Sequence, residues 1–145
     1  MPLDPKQEAF VKKVVGVYNG HKVEAFDEIL TDDCVLVRNG TEASGKKAIK
    51  EVLAKLYKAF PDIEYEIDDV LVAGDKLALR WSGHGTHKGD YFGIPATNRE
   101  ASYDGITLYE LKGDKIARIW VSTNIFGLLR DLGAKATMER PEARA

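Results

Sequence analysis

The sequence predicts one α+β domain in which helices come first and pack on a curved antiparallel sheet. Two observations carry that reading. Apolar residues recur at helical spacing as far as Phe60, and from Ile63 onward the period changes to two. Two turn signals, Ala73-Gly74-Asp75-Lys76 and Lys112-Gly113-Asp114-Lys115, then divide the second half into hairpin-connected strands. At 145 residues the chain has the length of a single domain and can bury a core without a disulfide or metal staple.

The elements follow in order. Asp4-Pro5 opens the first helix, because aspartate caps orphan N–H groups and proline suits the first helical position. Phe10, Val11, Val14, Val15 and Tyr18 form its apolar stripe, and Asn19-Gly20 ends it. A short second helix places Val23, Phe26, Ile29 and Leu30 on one side. Thr31-Asp32-Asp33 breaks it before a short buried strand, Cys34–Val37. Ser44-Gly45 starts the third helix, with Ile49, Val52, Leu53, Leu56 and Phe60 inward and most of its lysines on a solvated face. Ile63, Tyr65 and Ile67 alternate with acids in a half-buried strand. Strands Leu77–His87, Glu100–Leu111 and Ile116–Ile125 follow, with a loop, Lys88–Arg99, between the first two. A last helix, Phe126–Leu132, ends at Gly133. Residues 1–133 are therefore expected to form one domain and 134–145 a flexible tail. A curved sheet over helices leaves a concave space, the usual place for a ligand.

Composition excludes several classes. The 21 basic and 23 acidic residues give a net charge of -2, which offers no footprint for nucleic acid and suits an uncharged organic ligand. No apolar run approaches the ~20 residues of a membrane span. Met1–Lys6 lacks the pattern of a signal peptide. The single cysteine, Cys34, reads as a buried small residue. A soluble cytoplasmic protein is expected. His84 and His87 lie three apart on a strand and face opposite ways, so no metal site is expected.

Gly85-Thr86-His87-Lys88-Gly89-Asp90-Tyr91-Phe92-Gly93-Ile94-Pro95-Ala96-Thr97 resembles the SnoaL-like polyketide cyclase family. So do Gly113-Asp114-Lys115-Ile116, Trp120, and Leu128-Leu129-Arg130-Asp131-Leu132-Gly133, with weaker matches at Gly45 and Ala59-Phe60-Pro61-Asp62. The likeness spans roughly residues 7–133. It implies the nuclear transport factor 2-like fold, an α+β cone with a deep pocket, and pairing into a homodimer through the outer sheet face. It also implies ring closure by intramolecular aldol addition, with no metal or organic cofactor. In that chemistry an aspartate four residues after the tryptophan exchanges the proton. Counting from Trp120 reaches Asn124, an amide that hydrogen-bonds but does not titrate in this range.

Candidate site residues follow from the resemblance and from strand parity. Asn124 is expected to polarise a carbonyl, with His87 or Asp104 as the alternative proton acceptor. Trp120, Tyr91 and Phe92 are expected to supply apolar contacts, and Ser122 and Arg80 polar ones. Arg118, Trp120, Ser122 and Asn124 share one strand face, which the resemblance assigns to the pocket. Arg80-Trp81-Ser82 lacks the aspartate that limonene epoxide hydrolases carry, and the strand after Asp32-Asp33 runs to Arg38-Asn39 without the base of ketosteroid isomerases. The leading reading is a polyketide or ester cyclase acting on a carbonyl-rich hydrophobic substrate. The second is a non-catalytic ligand-binding member that lost the base, and the third a relative acting in hydroxylation.

Overall fold

The computed structural model describes residues 3–135; all but the first two residues of the expected tail lie outside them. Helix α1 (Pro5–Asn19) begins as predicted. The Asp4 carboxylate accepts the Gln7 N–H at 2.8 Å, and the Gln7 amide oxygen accepts the Asp4 N–H at 3.0 Å. The short second helix, Val23–Glu28, is a 3₁₀ helix. It is six residues long and has no side-chain cap, too little for an α-helical nucleus. Lys50 holds it from above through Asp27 at 3.0 Å, so that part of the lysine-rich face has a structural role.

Strand β1 (Leu30–Arg38) starts earlier than expected and bulges across Thr31–Cys34. It turns through Asn39-Gly40, both at positive φ, into β2 (Thr41–Ser44), a strand the periodicity did not reveal. Asparagine followed by glycine favours the two-residue hairpin turn, because both tolerate the left-handed region. Helix α2 (Lys46–Ala59) follows, then β3 (Glu64–Ala73), β4 (Lys76–Thr86), β5 (Glu100–Lys112), β6 (Lys115–Thr123) and the short α3 (Ile125–Asp131). Both predicted hairpin turns are present, closing Ala73 on Lys76 and Lys112 on Lys115.

The strands form one curved, unclosed sheet in the order β2-β1-β6-β5-β4-β3. It is mixed rather than antiparallel throughout, because β1 enters from the other half of the chain and runs parallel to β6. Burial alternates along β4 and β5. Leu77, Leu79, Trp81 and Gly83 face inward with Ala101, Tyr103, Gly105, Thr107 and Tyr109. An extra residue at Asp68 in β3 restores the inward set, so that Tyr65 and Ile67 before it and Val70 and Val72 after it share the inner side. Val14, Phe26, Ile29, Ile49, Phe60 and Leu128 complete the core, each side chain worth about 1.5–3 kcal/mol on burial.

The floor of the concavity rests on a close approach at Gly105. A Cβ there would lie 2.5 Å from the Trp81 ring and 2.6 Å from the Ser122 carbonyl oxygen, so no larger residue fits under the indole. Gly105→Ala should cost about 1–3 kcal/mol by overpacking, roughly 3–10 °C in Tm for a protein of this size. Thermal unfolding by circular dichroism checks this, and an unchanged Tm would contradict the packing.

Candidate functional site

Between the inner sheet face and helices α1 and α2 lies a pocket with about 870 Å³ of empty space, its open mouth included. Val14, Val15 and Tyr18 come from α1, and Val52, Leu53 and Leu56 from α2. The sheet adds Leu36 and Arg38 from β1, Tyr65 and Ile67 from β3, Leu79 and Trp81 from β4, and Tyr103, Thr107 and Tyr109 from β5. Val121, Thr123, Ile125 and Leu128 close the far side.

The polar groups in this wall are mostly paired with each other. The hydroxyls of Tyr65 and Tyr103 share a hydrogen bond of 2.8 Å, and the Trp81 Nε1–H donates to Thr107 Oγ1 at 2.9 Å. The Tyr109 hydroxyl donates to that of Tyr18 at 3.4 Å. Burial pushes the hydroxyls of Tyr18, Tyr65, Tyr91, Tyr103 and Tyr109 above the ordinary tyrosine value. They stay protonated at neutral pH and serve as donors and acceptors, not as bases. Among the described residues, no aspartate, glutamate, histidine or lysine lines the pocket.

Tyr91 and Phe92 sit at the pocket within the loop between β4 and β5. They belong to a tight turn, in which the Tyr91 N–H donates to the Ile94 carbonyl at 3.0 Å and the Ile94 N–H to the Tyr91 carbonyl at 2.9 Å. Phe92 and Gly93 both take positive φ, 52° and 76°. For phenylalanine that conformation is strained, and it holds a 57% exposed ring beside the opening.

The other expected site residues lie elsewhere. Inward-facing β6 residues are Ile119, Val121 and Thr123, so Trp120 and Ser122 occupy the outer face, one residue out of phase with the expectation. The Trp120 ring lies under the Arg118 guanidinium, 5.1 Å from its centroid. Arg80 is also outside, 4.0 Å from Asp68, and Asp104 is exposed on the same face opposite Ser82. Asn124 caps α3. Its amide oxygen accepts the Gly127 N–H at 3.0 Å and its amide nitrogen donates to Asp104 at 3.2 Å, so the side chain is committed away from the cavity.

His87 is fully buried but does not line the pocket. Its Nδ1 accepts the Thr97 N–H at 3.2 Å and meets Thr97 Oγ1 at 3.0 Å. That assigns the ring proton to Nε2, which has no partner. With the His87 N–H donating to the Arg99 carbonyl and the Asn98 N–H to its own, the residue ties the loop's two ends together. His84 is outside, 3.9 Å from Glu64.

Sequence reasoning missed Arg38. It follows Leu36 on the inner side of β1, immediately before the Asn39-Gly40 turn. An arginine at an inward position next to that dipeptide is the signal that could have found it.

A curved, unclosed sheet around an apolar, open-mouthed cavity defines the nuclear transport factor 2-like fold. The family model for SnoaL-like polyketide cyclases matches residues 8–132, and the chain belongs to that family. No curated protein matches the sequence. Among solved structures, a candidate SnoaL-like polyketide cyclase from Jannaschia sp. CCS1 superimposes with TM-score 0.81 at 17% identity, over 94% of this chain and 99% of that one. IdmH from Streptomyces antibioticus, a candidate polyketide cyclase, gives 0.77 at 20% identity over 90% and 100%. AclR from Streptomyces galilaeus, a candidate hydroxylase, gives 0.79 at 23% identity over 87% and 94%. At these identities the likeness establishes the fold.

The position of Asn124 makes a prediction. Aspartate caps a helix as well as asparagine does, so Asn124→Asp should fold normally. It replaces a donor to Asp104 with a second carboxylate. Its stability should fall by about 1 kcal/mol at pH 7 and low salt, with a smaller loss near pH 4 or in high salt. Urea unfolding at the two pH values measures this, and a variant as stable as the parent at pH 7 would remove the Asn124–Asp104 contact from the account.

Proposed function

We propose that this chain is a ligand-binding member of its family, holding a largely apolar, carbonyl-rich small molecule without supplying a base of its own. One observation carries the reading: among the described residues, the pocket wall contains no carboxylate, imidazole or amine. Aldol closure driven by an enzyme base needs such a group within hydrogen-bond reach of the substrate's activated methylene. The wall instead provides aromatic surface and neutral hydroxyls, which suit recognition of a flat body bearing oxygen acceptors.

Family membership favours a second reading, a polyketide or ester cyclase. Here the pocket would fold the substrate and bring its reacting carbons together, a proximity effect that needs no protein base. Incubation with a polyketide methyl ester, followed by mass and absorbance, separates the two. Binding without faster ring closure is expected. Acceleration by the parent protein would reject the binding-only reading and install the cyclase. A ligand that raises Tm supports occupancy in either case.

We also propose that the protein pairs with a second copy through its outer sheet face. Leu71, Ala78, Leu108, Trp120 and Val37 are cross-strand neighbours in one row across five strands. Ile106 lies beside that row, 55% exposed. Charges of both signs flank it, Arg118 with Glu110 and Arg80 with Asp104, so a two-fold axis can match unlike charges. Sedimentation should show a dimer, and Ile106→Glu should give a folded monomer. A monomeric parent would refute the pairing.

A further inference from the structure

The charge inside the pocket does not follow the near-neutral charge of the whole chain. Among the described residues, Arg38 is the only charged side chain in the wall. It forms no ion pair among the described residues, although lysines and arginines elsewhere pair with Asp27, Asp32, Asp68 and Glu110. The hydroxyls of Tyr65 and Tyr103, and of Tyr18 and Tyr109, are engaged with one another, while the Tyr91 hydroxyl lies near the guanidinium, whose charge works against the upward shift that burial gives it. A guanidinium carries five N–H donors in a rigid planar fork. Set into an apolar wall, such a group loses hydration and gains most from a bidentate oxyanion.

Its position is fixed by the backbone. The Asn39 N–H donates to the Val121 carbonyl at 3.1 Å, the Asn39 amide nitrogen donates to Thr123 Oγ1 at 2.7 Å, and its amide oxygen accepts the Thr123 N–H at 3.1 Å. These three bonds pin the β1–β2 turn to the end of β6, so the arginine projects from a rigid base on the pocket side. Tyr91 and Phe92 border the same cavity and offer aromatic surface for the body of a ligand.

We infer that the pocket selects ligands carrying a carboxylate on an aromatic or similarly flat apolar body, and that Arg38 is the residue that reads the carboxylate. This rests on the pocket being a ligand site, and it departs from the expectation of an uncharged ligand. Specificity would follow from charge as well as shape, because a neutral isostere leaves the fork unpaired.

Isothermal titration with 2-naphthoate and its neutral isostere 2-naphthamide at pH 7 and low salt tests the inference. The parent should bind the acid at least tenfold more tightly than the amide. Arg38→Gln should abolish that preference by weakening the acid alone, and Arg38→Lys should keep part of it. Equal affinities for acid and amide in the parent would overturn the carboxylate inference and leave the ligand pocket standing. Equal weakening of both by Arg38→Gln would make Arg38 a structural residue and overturn its assignment. Binding of neither probe to the parent would remove the pocket reading together with this one. If Arg38→Gln does not fold, the parent's acid-to-amide ratio and its change in Arg38→Lys decide the matter.

Discussion

The parallel pairing of β1 with β6 is the contact on which the rest of the molecule depends. It joins the N-terminal half, with α1, β1, β2 and α2, to the meander of β3–β6. The register sets Leu36 beside Ile119 and Arg38 beside Val121, so both halves contribute to one inner surface. The pairing is non-local, since Asn39 bonds Thr123 across 84 positions, and its loop-closure entropy must be offset by burial. Core side chains such as Ile29, Leu30, Cys34 and Ile116 meet where the halves join, each nearly or wholly inaccessible to solvent. Burial also pushes the Cys34 thiol up to about 11, which leaves it a packing residue without nucleophilic character.

Packing on the inner face has a chemical consequence. Trp81 lies on Gly105, and the Tyr65 ring lies against Gly83 so closely that a Cβ there would be 2.9 Å away. Large aromatic rings thus occupy space that side chains of neighbouring strands would otherwise fill. Their edges meet at near-right angles, Trp81 to Tyr103 at 90° and Tyr65 to Trp81 at 86°, the geometry that ring quadrupoles favour. The hydroxyls of Tyr65 and Tyr103 pair with each other, and the Trp81 indole N–H finds Thr107 in the same layer. Among the described residues the wall holds one cation, Arg38, and its guanidinium lies outside those pairs.

Much of the fold was legible in the sequence because local signals agreed. The Asp4 cap, the helical stripes, the period-two strands and the Gly74 and Gly113 turns each have a short-range cause. What escaped had a different origin. Strand β2 is four residues long and mostly exposed, and only Asn39-Gly40 announces it. The bulges in β1 and β3 and the parallel neighbour of β1 are products of tertiary pairing. The site was less legible than the fold. Tyr91 and Phe92 were placed at the cavity by a distinctive motif, whereas Trp120, Ser122, Arg80 and Asp104 were assigned inward on strands whose phase was open. Period two separates the faces of a strand but does not say which is inside. Ile119, Val121 and Thr123 alternate as regularly as Arg118, Trp120 and Ser122, and only contact with the helices decides between them.

Asn124 shows how far a position in a motif determines chemistry. By residue type alone, an amide where the resemblance implies a carboxylate leaves this position without a proton acceptor. In the folded chain the side chain at this place has two partners already, the Gly127 N–H of the helix it begins and the carboxylate of Asp104 on the outer sheet face. Its backbone N–H donates to the Asp104 backbone carbonyl at 2.8 Å, which extends the β5–β6 pairing by one residue and fixes where the helix begins. Exchanging amide for acid would alter a cap and a surface contact while leaving the pocket wall as it is. The chemistry available to a ligand is set by the groups that reach the cavity with unspent hydrogen-bonding capacity. In this chain that criterion passes over Asn124, whose side chain serves the helix cap, and His87, whose unpartnered Nε2 does not reach the cavity, and selects Arg38.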